Sequence, residues 1–359
     1  MSAAPKVRDR GDITGGPVPT VLAVDAGGTS TRAGWFTADG RCLGLGRAAG
    51  ANPISRGANA ALTHVTAAVT RTAGPTGWGA GSWPPRVVVV AMAGGSRAEV
   101  AGLRRALTGV GVTGELVLAS DLLAGYFSGA SEPDGYGLIA GTGAAAIRVA
   151  AGVDVAVADG VGWLLGDRGS GYWIGSRAVQ ATMRALDRGE STLLTRAVLA
   201  DQGWSPEERS PARVDGRHPA VVPLVHAFYG QDPVELARFA PLTLAAAAAG
   251  DRAAGAIVAQ AVTELVDTLS AVLDRAAPGP IVVHGGVGAV LPGLADALRS
   301  RQQAQGWPPD VRESQHGLLG AAVLALRAAG LEVSDRIRSA LRAGIANRAG
   351  PGEREFAGG

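Results

Sequence analysis

The 359-residue sequence predicts an α/β protein built from two lobes that face each other across a cleft. Three observations lead to this prediction. Apolar strand-like runs alternate with segments of helical spacing, each half opens with a β-hairpin, and the turn of each hairpin is made of small residues. The two turns are Gly27-Gly28-Thr29 and Gly141-Thr142-Gly143. Because the second half resets to the same pattern, we predict a duplicated fold.

In the first half, an apolar run ends in Asp25 and the glycine turn, and a second apolar run completes the hairpin before a polar turn at Asp39-Gly40. Apolar and β-branched composition predicts four strands, at residues 21–24, 33–36, 87–90 and 116–118. The spacing of apolar residues predicts two helices, at residues 56–72 and 97–107.

The second half repeats the hairpin and then becomes mainly helical. The strands predicted here are residues 136–140, 145–150, 153–158 and 281–283. The predicted helices are residues 171–186, two more between 233 and 276, and two final ones at 318–327 and 333–343. We expect an N-terminal lobe over 20–132, completed by a returning C-terminal helix at 330–347, and a C-terminal lobe over 133–329. Residues 1–19 and 348–359 are expected to be mobile tails.

The composition indicates a globular protein, with 47% hydrophobic and 18% charged residues. The net charge of +2 is too small to favour nucleic acid as a partner, although the pI is near 9.0. No run of about 18 apolar residues is free of charges or glycine clusters, and the N-terminus lacks an apolar signal segment. We therefore expect no nucleic-acid partner, no membrane partner and a cytoplasmic location.

Two scarce residue types exclude several classes of protein. Cys42 is the one cysteine, so we expect neither an internal disulfide nor an iron–sulfur cluster. We expect Cys42 to be a small buried residue at the end of a strand. Lys6, near the N-terminus, is the one lysine. P-loop NTPases, Schiff-base enzymes and protein kinases all need a lysine in the site, so the sequence excludes these classes.

The glycine turns have the composition of phosphate-binding loops. Glycine lets the backbone approach a charged group, and successive N–H groups in such a turn form a concavity that binds anions. Thr29 and Ser30 add hydroxyl donors, and Asp25, at the strand end, is placed to hold a hydrated Mg²⁺. Hairpin geometry alone could require the first pair of glycines. The second turn and the pair Gly285-Gly286, which also follows a buried strand, favour phosphate binding.

A set of motifs then stands in order over residues 20–328: VDAGGTSTRAG, SDLLAG, IAGTGAAA, GWLLGDRGSGYWIG, HGGVG and GLLGAAVLAL. In order and spacing this set resembles the BadF/BadG/BcrA/BcrD ATPase family and its N-acetylglucosamine kinases. The resemblance implies the two-lobed actin/hexokinase-like fold, which is ribonuclease H-like and duplicated around a central cleft. It also implies ATP and Mg²⁺ as cofactors, a small-molecule sugar as substrate and a possible homodimer.

The resemblance assigns roles residue by residue. For the nucleotide it implies Gly27, Gly28, Thr29 and Ser30 in the first phosphate turn, Gly141, Thr142 and Gly143 in the second, and Gly285 and Gly286 in the adenosine turn. It places Asp121 at the catalytic carboxylate. For the sugar it implies Asn52, Asp121, Ala144, Ala145, Gly160, Val161, Gly162 and Asp167. Simpler roles compete: a helix cap for Asp121, a turn carboxylate for Asp167 and turn chemistry for Asn52 before Pro53.

The substrate side departs from the amino-sugar kinases, whereas the nucleotide motifs are intact. Val161 stands where those kinases usually have Trp, Ala144-Ala145 where they have a polar pair, and Arg168 where Glu is more usual. We expect phosphorylation of N-acetylglucosamine to the 6-phosphate, with glucosamine, N-acetylmuramate or another hexose open, as well as an ATPase without a sugar substrate. The electron-transfer ATPases of the family need interface cysteines, and a transcriptional regulator of similar fold needs a helix-turn-helix that the N-terminus has no room for.

Overall fold

A computed structural model of the protein describes residues 19–73, 84–95, 99–204, 213, 215–314 and 317–348. The expected N-terminal tail, Lys6, the start of the helix predicted at residue 97 and the segment after 348 lie outside the described residues.

The first half forms a five-stranded sheet in the order β3-β2-β1-β4-β5. Its strands are β1 (Thr20–Ala26), β2 (Ser30–Thr37), β3 (Cys42–Ala49), β4 (Val87–Met92) and β5 (Glu115–Ala119). The first three strands run antiparallel, and β4 and β5 add to β1 in parallel. The helices of this half are α1 (Pro53–Arg56), α2 (Ala58–Thr72), α3 (Val100–Gly109) and α4 (Asp121–Gly129). The apolar faces of α2 and α3 pack against the sheet in one buried cluster.

The second half repeats this strand order, which confirms the predicted duplication. The second sheet reads β8-β7-β6-β9-β10, with β6 (Gly135–Ala140), β7 (Ala144–Ala150), β8 (Val153–Asp159), β9 (Ile281–His284) and β10 (Val311–Ser314). Its helices are α5 (Gly171–Arg188), α6 (Leu193–Asp201), α7 (Val221–Tyr229), α8 (Phe239–Ala248), α9 (Arg252–Ser270), α10 (Leu294–Ala304), α11 (Gly317–Ala328) and α12 (Asp335–Arg348). A 3₁₀ helix, Pro233–Arg238, leads into α8. Helices α5, α8 and α9 enclose the main apolar core of this half.

Two helices cross between the halves and fix their relation. Helix α4 follows the first sheet but packs on β6 and β9 of the second, and α11 follows the second sheet but packs on β1 and β4 of the first. The two helices also pack on each other, so closely that a Cβ atom at Gly320 would lie 1.7 Å from the carbonyl oxygen of Ala124. Helix α12 returns to the first sheet, where Gly344 approaches Cys42. The base of the cleft is therefore a pair of helices that belong to both lobes.

Among the described residues, no single helix is both long and apolar enough to cross a membrane, and one bent pair, Pro233–Ala248 with Arg252–Ser270, passes that test only when the two are taken together.

Candidate active site

The first glycine turn connects β1 and β2 and is held by its own backbone. The Gly27 N–H donates to the Ser30 carbonyl at 3.1 Å, and the Gly27 carbonyl accepts from Ala51 at 3.0 Å. A Cβ atom at Gly50 would lie 2.0 Å from the Gly28 carbonyl oxygen, so a neighbouring glycine is required for this close packing. On its other side, a Cβ atom at Gly28 would meet nothing within 4 Å. One side of the turn therefore packs against Gly50, and the other side faces open space.

The second turn connects β6 and β7 and rests on the start of α5. The Gly141 N–H donates to the Gly143 carbonyl at 2.9 Å, and the carbonyls of Gly141 and Thr142 accept from Gly171 at 2.8 Å and from Tyr172 at 3.1 Å. These two donors are N–H groups of the first turn of α5, which would otherwise lack partners. A Cβ atom at Gly141 would also point into open space.

The structure brings all three glycine turns together. The Thr29 and Thr142 hydroxyl oxygens of the first and second turns lie 2.9 Å apart. Gly285 has φ +100°, and a Cβ atom there would lie 2.6 Å from the Ala140 carbonyl oxygen, directly before the second turn. A side chain at residue 285 would therefore be excluded by both backbone conformation and space. The neighbouring Gly286 faces open space.

Next to these turns lies a small cluster of charged side chains drawn from both halves. Asp25 is the second-last residue of β1, and a Cβ atom at Gly317, the first residue of α11, would lie 2.6 Å from its carboxylate. His284 ends β9, and its Nδ1 lies 3.1 Å from the Ser314 carbonyl oxygen, so this nitrogen donates and Nε2 is left for other partners. His284 packs against Gly125 of α4. Asp121 is the first residue of the same helix.

Burial and mutual charge set the ionisation of this cluster. Burial raises the pKa of Asp25, while the His284 and Arg32 charges act in the opposite direction. Burial lowers the pKa of His284 against the attraction of Asp25. Burial, with the Asp25 charge as a second cause, raises the pKa of Asp121 to about 6. Two carboxylates near each other in a low-dielectric site make a location where a cation is favoured and where one carboxylate can act as a base.

The competing role of Asp121 as a helix cap is taken by its neighbour. Ser120 is the N-cap of α4, and its Oγ accepts from the Leu123 N–H at 3.1 Å. The Asp121 carboxylate interacts with the N–H groups of Asp121 and Leu122, which lowers its pKa against the larger effect of burial.

The residues assigned to the sugar fall into two groups. Gly160 meets the Ala144-Ala145 strand start, because its N–H donates to the Ala144 carbonyl at 3.0 Å. Asp167 joins the same group, since its Oδ1 accepts from the Ala144 N–H at 3.1 Å. Val161 is 59% exposed, and Gly162 faces open space. The methyl groups of Ala144 and Ala145 are buried. Asn52 lies on the first half, where its Oδ1 accepts from the Ile54 N–H at 2.9 Å and approaches Gly94.

Four further residues belong to the site and were not predicted from the sequence: Arg32, Asp159, His284 and Gly317. Arg32 could have been found, because the tight turn at Gly27–Thr29 makes it the cross-strand partner of Asp25. Asp159 is likewise the partner of Ala145 in the second hairpin. His284 and Gly317 meet Asp25 only through the crossing of α11 onto the first sheet, for which the local sequence carries no signal.

A model of the BadF/BadG/BcrA/BcrD ATPase family matches residues 22–325. The chain belongs to this family of sugar-kinase-like ATPases, as its motifs predicted. The family implies that the protein uses ATP. A comparison with curated protein sequences finds no match.

Solved structures share the architecture. A candidate N-acetylglucosamine kinase from Chromobacterium violaceum is 25% identical, with a TM-score of 0.64 over 86% of this chain and 99% of that one. A candidate N-acetylglucosamine kinase from Porphyromonas gingivalis is 20% identical, with a TM-score of 0.65 over the same shares. A ROK family glucokinase from Streptomyces griseus, solved with glucose and AMPPNP, is 19% identical, with a TM-score of 0.53 over 86% of this chain and 99% of that one. These likenesses confirm the predicted two-lobed actin/hexokinase-like fold.

Proposed function

We propose that this protein is an ATP-dependent kinase that phosphorylates a hydroxyl group of an amino sugar, with N-acetylglucosamine to N-acetylglucosamine 6-phosphate as the best-supported reaction. The observation that carries the proposal is the position of Asp121, a carboxylate at the start of a helix that packs on the sheets of both lobes. It shares its cluster with Asp25 and lies in a protein whose facing glycine turns suit a triphosphate. Because the proposed reaction consumes ATP, we expect it to take place in the cytoplasm.

The proposed chemistry balances as a single displacement. The sugar oxygen forms a bond to the γ-phosphorus while the bond from that phosphorus to the bridging oxygen of ADP breaks. The proton of the sugar hydroxyl passes to the Asp121 carboxylate, which acts as general base. A pKa of about 6 keeps this group ionised at neutral pH and makes it a stronger base than an exposed aspartate.

The glycine turns supply the nucleotide contacts in this proposal. A Cβ atom at Gly28 or at Gly141 would meet nothing within 4 Å, so phosphate oxygens can approach both turns without meeting a side chain. The hydroxyl groups of Thr29 and Thr142 face each other at a distance that a phosphate oxygen could bridge. Gly286, also open, would accommodate the adenosine end.

Asp25 supports a magnesium site, because its carboxylate lies at the start of α11 and near the Asp121 carboxylate, and carboxylate oxygens are ligands that Mg²⁺ takes in proteins. Mg²⁺ binds through one or two carboxylates and keeps several waters, so Asp25 with the phosphate oxygens would suffice. When bound, the ion neutralises the charge that develops on the phosphates. Asp25 would hold it, and Arg32 and His284 stand beside that carboxylate.

The identity of the sugar depends on the substrate-side residues. The likeness to the Chromobacterium violaceum protein supports an amino sugar. Asn52 on one half, with Asp167 and residues 160–162 on the other, would bridge the sugar and couple its binding to closure of the lobes. The buried methyl groups of Ala144 and Ala145 offer no polar side chain there, so contacts from this strand would come from its backbone. Glucosamine, N-acetylmuramate and other hexoses are the alternative substrates.

A coupled ADP-release assay with a panel of sugars tests the proposal. Each sugar is assayed with Mg²⁺ and ATP, and the product of the fastest reaction is located by NMR. We expect N-acetylglucosamine to give the highest kcat/KM and phosphate on O6. A higher kcat/KM for another sugar of the panel would support a kinase with that sugar as its substrate. ATP hydrolysis that no sugar accelerates would contradict the kinase proposal and indicate an ATPase of the same family.

A further inference from the structure

Asp159 is a buried carboxylate that ends β8 and has no role in the reaction as proposed above. Its side chain is only 2% exposed. Oδ1 accepts from the Asp167 N–H at 2.7 Å, and Oδ2 accepts from the Arg168 N–H at 3.0 Å. The Arg168 guanidinium adds a long contact, Nε to Oδ2 at 3.9 Å. The two oxygens of one carboxylate thus accept hydrogen bonds from two consecutive backbone N–H groups. Hydrogen bonds to a charged acceptor of this kind are stronger than neutral ones.

These bonds close the loop of residues 160–166, which leaves β8 and returns to the start of α5. A Cβ atom at Gly166 would lie 2.0 Å from Asp159 Oδ1, so the loop passes directly over the carboxylate. Asp159 and Asp167 both have left-handed backbone, with φ of 61° and 55°. That conformation is costly for residues other than glycine, and it persists where surrounding interactions enforce it.

The loop closed by Asp159 leads straight to the second glycine turn. Asp167, held through its N–H by Asp159, uses its own Oδ1 to accept from the Ala144 N–H at 3.1 Å. Its carboxylate also lies 2.8 Å from where a Cβ atom at Gly143 would stand. Thr142, the next residue back, contacts Thr29 across the cleft. A continuous set of contacts therefore runs from Asp159 through Asp167 to the turn that faces the first lobe.

We infer that Asp159 is a positioning residue: it fixes the backbone of Asp167 so that this carboxylate meets both the second glycine turn and the sugar. The sugar part of this inference rests on the proposed function, whereas the part concerning the turn rests on family membership and geometry. Asp159 itself is covered by the loop, so it acts through Asp167 rather than by touching a ligand.

Two substitutions at residue 159 distinguish the effect of the carboxylate from the effect of the left-handed backbone. Asp159→Gly removes both acceptors but suits the left-handed φ, so the loop backbone is relieved and the protein is expected to fold. Asp159→Asn keeps one acceptor and places an amide NH₂ against a backbone N–H. Asp215→Gly, at an exposed aspartate with φ 49° between α6 and α7, is the matched control. Each protein is examined by thermal unfolding, by sugar KM and kcat, and by calorimetry with Mg·AMPPNP.

We expect sugar KM to rise in the order wild type, Asp159→Asn, Asp159→Gly, with the last change about tenfold or more, while each variant keeps a cooperative thermal transition well above the assay temperature. Mg·AMPPNP affinity should fall in the same order. The double variant of Asp159→Asn with Asp167→Asn should have a sugar KM no higher than that of Asp167→Asn alone, because the first residue acts through the second.

Additive effects of the two substitutions, or an Asp159→Gly protein with wild-type sugar KM and nucleotide affinity, would overturn the inference. If wild-type protein phosphorylates no sugar in the panel, the proposed function fails, and Asp159 is then judged by nucleotide affinity alone. Weaker Mg·AMPPNP binding by Asp159→Gly but not by Asp215→Gly would still support the positioning role. Unchanged binding in that case would overturn it.

Discussion

The hydroxyl oxygens of Thr29 and Thr142 lie 2.9 Å apart, although 113 positions separate the two residues in the chain. Each belongs to the glycine turn of one half, and each turn joins the first two strands of its sheet. The contact is exposed to solvent, so it adds little to stability. Its importance is geometric, because it shows that the duplicated turns face one another across the cleft.

Removing one of these hydroxyl groups should weaken nucleotide binding without unfolding the protein. A hydroxyl donating to a charged phosphate oxygen contributes more than the neutral bond it replaces, so we expect Thr142→Val to weaken Mg·AMPPNP affinity about tenfold. Isothermal calorimetry measures this, with Thr263→Val on the exposed side of α9 as the control. Equal affinities for the two variants would show that the Thr142 hydroxyl does not reach the nucleotide.

The strand β3 shows why part of the fold could not be predicted from the sequence. The hairpins were predictable because apolar runs flank turn residues, but β3 has the sequence CLGLGRAA, and glycine is unfavourable in strands. The structure explains the glycines: Cβ atoms at Gly44 and Gly46 would each lie 1.9 Å from carbonyl oxygens of α2, at Thr72 and Ala68. The helix lies directly on the strand. Tertiary packing therefore overrides local propensity, and no short window reveals it.

The site divides in a similar way. Asp25 and Asp121 were predictable as carboxylates at strand ends beside small-residue turns, because the edge of a sheet is set by local pattern. The contacts of Asp25 with His284 and Gly317 join the two halves of the chain and depend on the crossing of α4 and α11. Long-range pairing of that kind follows from topology, which hydrophobic periodicity does not encode.

The crossing itself can be tested through Gly320 of α11. Because a Cβ atom there would lie 1.7 Å from the Ala124 carbonyl oxygen, Gly320→Ala must push the two central helices apart. Overpacking of this kind costs about 1–3 kcal/mol in the free energy of unfolding. The matched change Gly255→Ala in α9 meets open space and should stabilise the protein by about 0.5–1 kcal/mol, since glycine is unfavourable within a helix. Urea unfolding of the two variants gives both values, and equal effects would contradict the helix crossing described here.

The ion pair between Arg312 and Glu132 predicts how the stability of the protein depends on pH. Both guanidinium Nη atoms of Arg312 donate to the Glu132 carboxylate, at 2.8 and 2.9 Å, and these hydrogen bonds lower the pKa of Glu132 to about 2. A depressed carboxylate pKa contributes stability that is present above the unfolded value, 4.5, and is lost as pH falls toward 2. The pair is partly exposed, so the contribution is about 1 kcal/mol.

Glu132→Gln should therefore lower the free energy of unfolding at pH 7 and differ progressively less from wild type between about pH 4.5 and 2. Urea unfolding at several pH values measures the difference. Asp296→Asn, which removes an exposed i,i+3 pair, serves as the control and should change stability little at any pH. A Glu132→Gln difference that is constant from pH 7 to pH 2 would rule out this carboxylate as the source.

Asp25→Asn tests the proposed magnesium site. The amide keeps the shape of the side chain but removes its charge, so the Mg²⁺ concentration for half-maximal rate should rise about 10- to 100-fold while sugar KM changes little. Asp39→Asn is the control, because Asp39 lies in the turn between β2 and β3 and its carboxylate binds the Thr37 hydroxyl. Turnover by Asp25→Asn that matches the control at limiting Mg²⁺ would reduce Asp25 to a turn residue.

The proposed role of Asp121 as general base can be tested separately from helix capping, because the N-cap of α4 is the neighbouring residue Ser120. Ser120 supplies the side-chain cap of α4, so Asp121→Asn should leave the fold and the Mg·AMPPNP affinity unchanged. Loss of a general base should nonetheless lower kcat on the best sugar about 10²- to 10⁴-fold. Ser120→Ala is the converse variant and should lower the free energy of unfolding by about 1 kcal/mol. A normal kcat in Asp121→Asn would mean that this carboxylate takes no proton.

The same residue should appear in the pH dependence of the reaction. A base acts only when deprotonated, and burial with the Asp25 charge holds the pKa of Asp121 at about 6, so log kcat/KM for MgATP should fall with unit slope below about pH 6. An exposed aspartate would move that limb toward pH 4. The residual activity of Asp121→Asn should no longer show this fall of kcat/KM below about pH 6. Sugars and buffers are exchanged to confirm that the limb belongs to the enzyme. A wild-type profile that stays flat to pH 5 would show that no group with the raised pKa of Asp121 controls phosphoryl transfer.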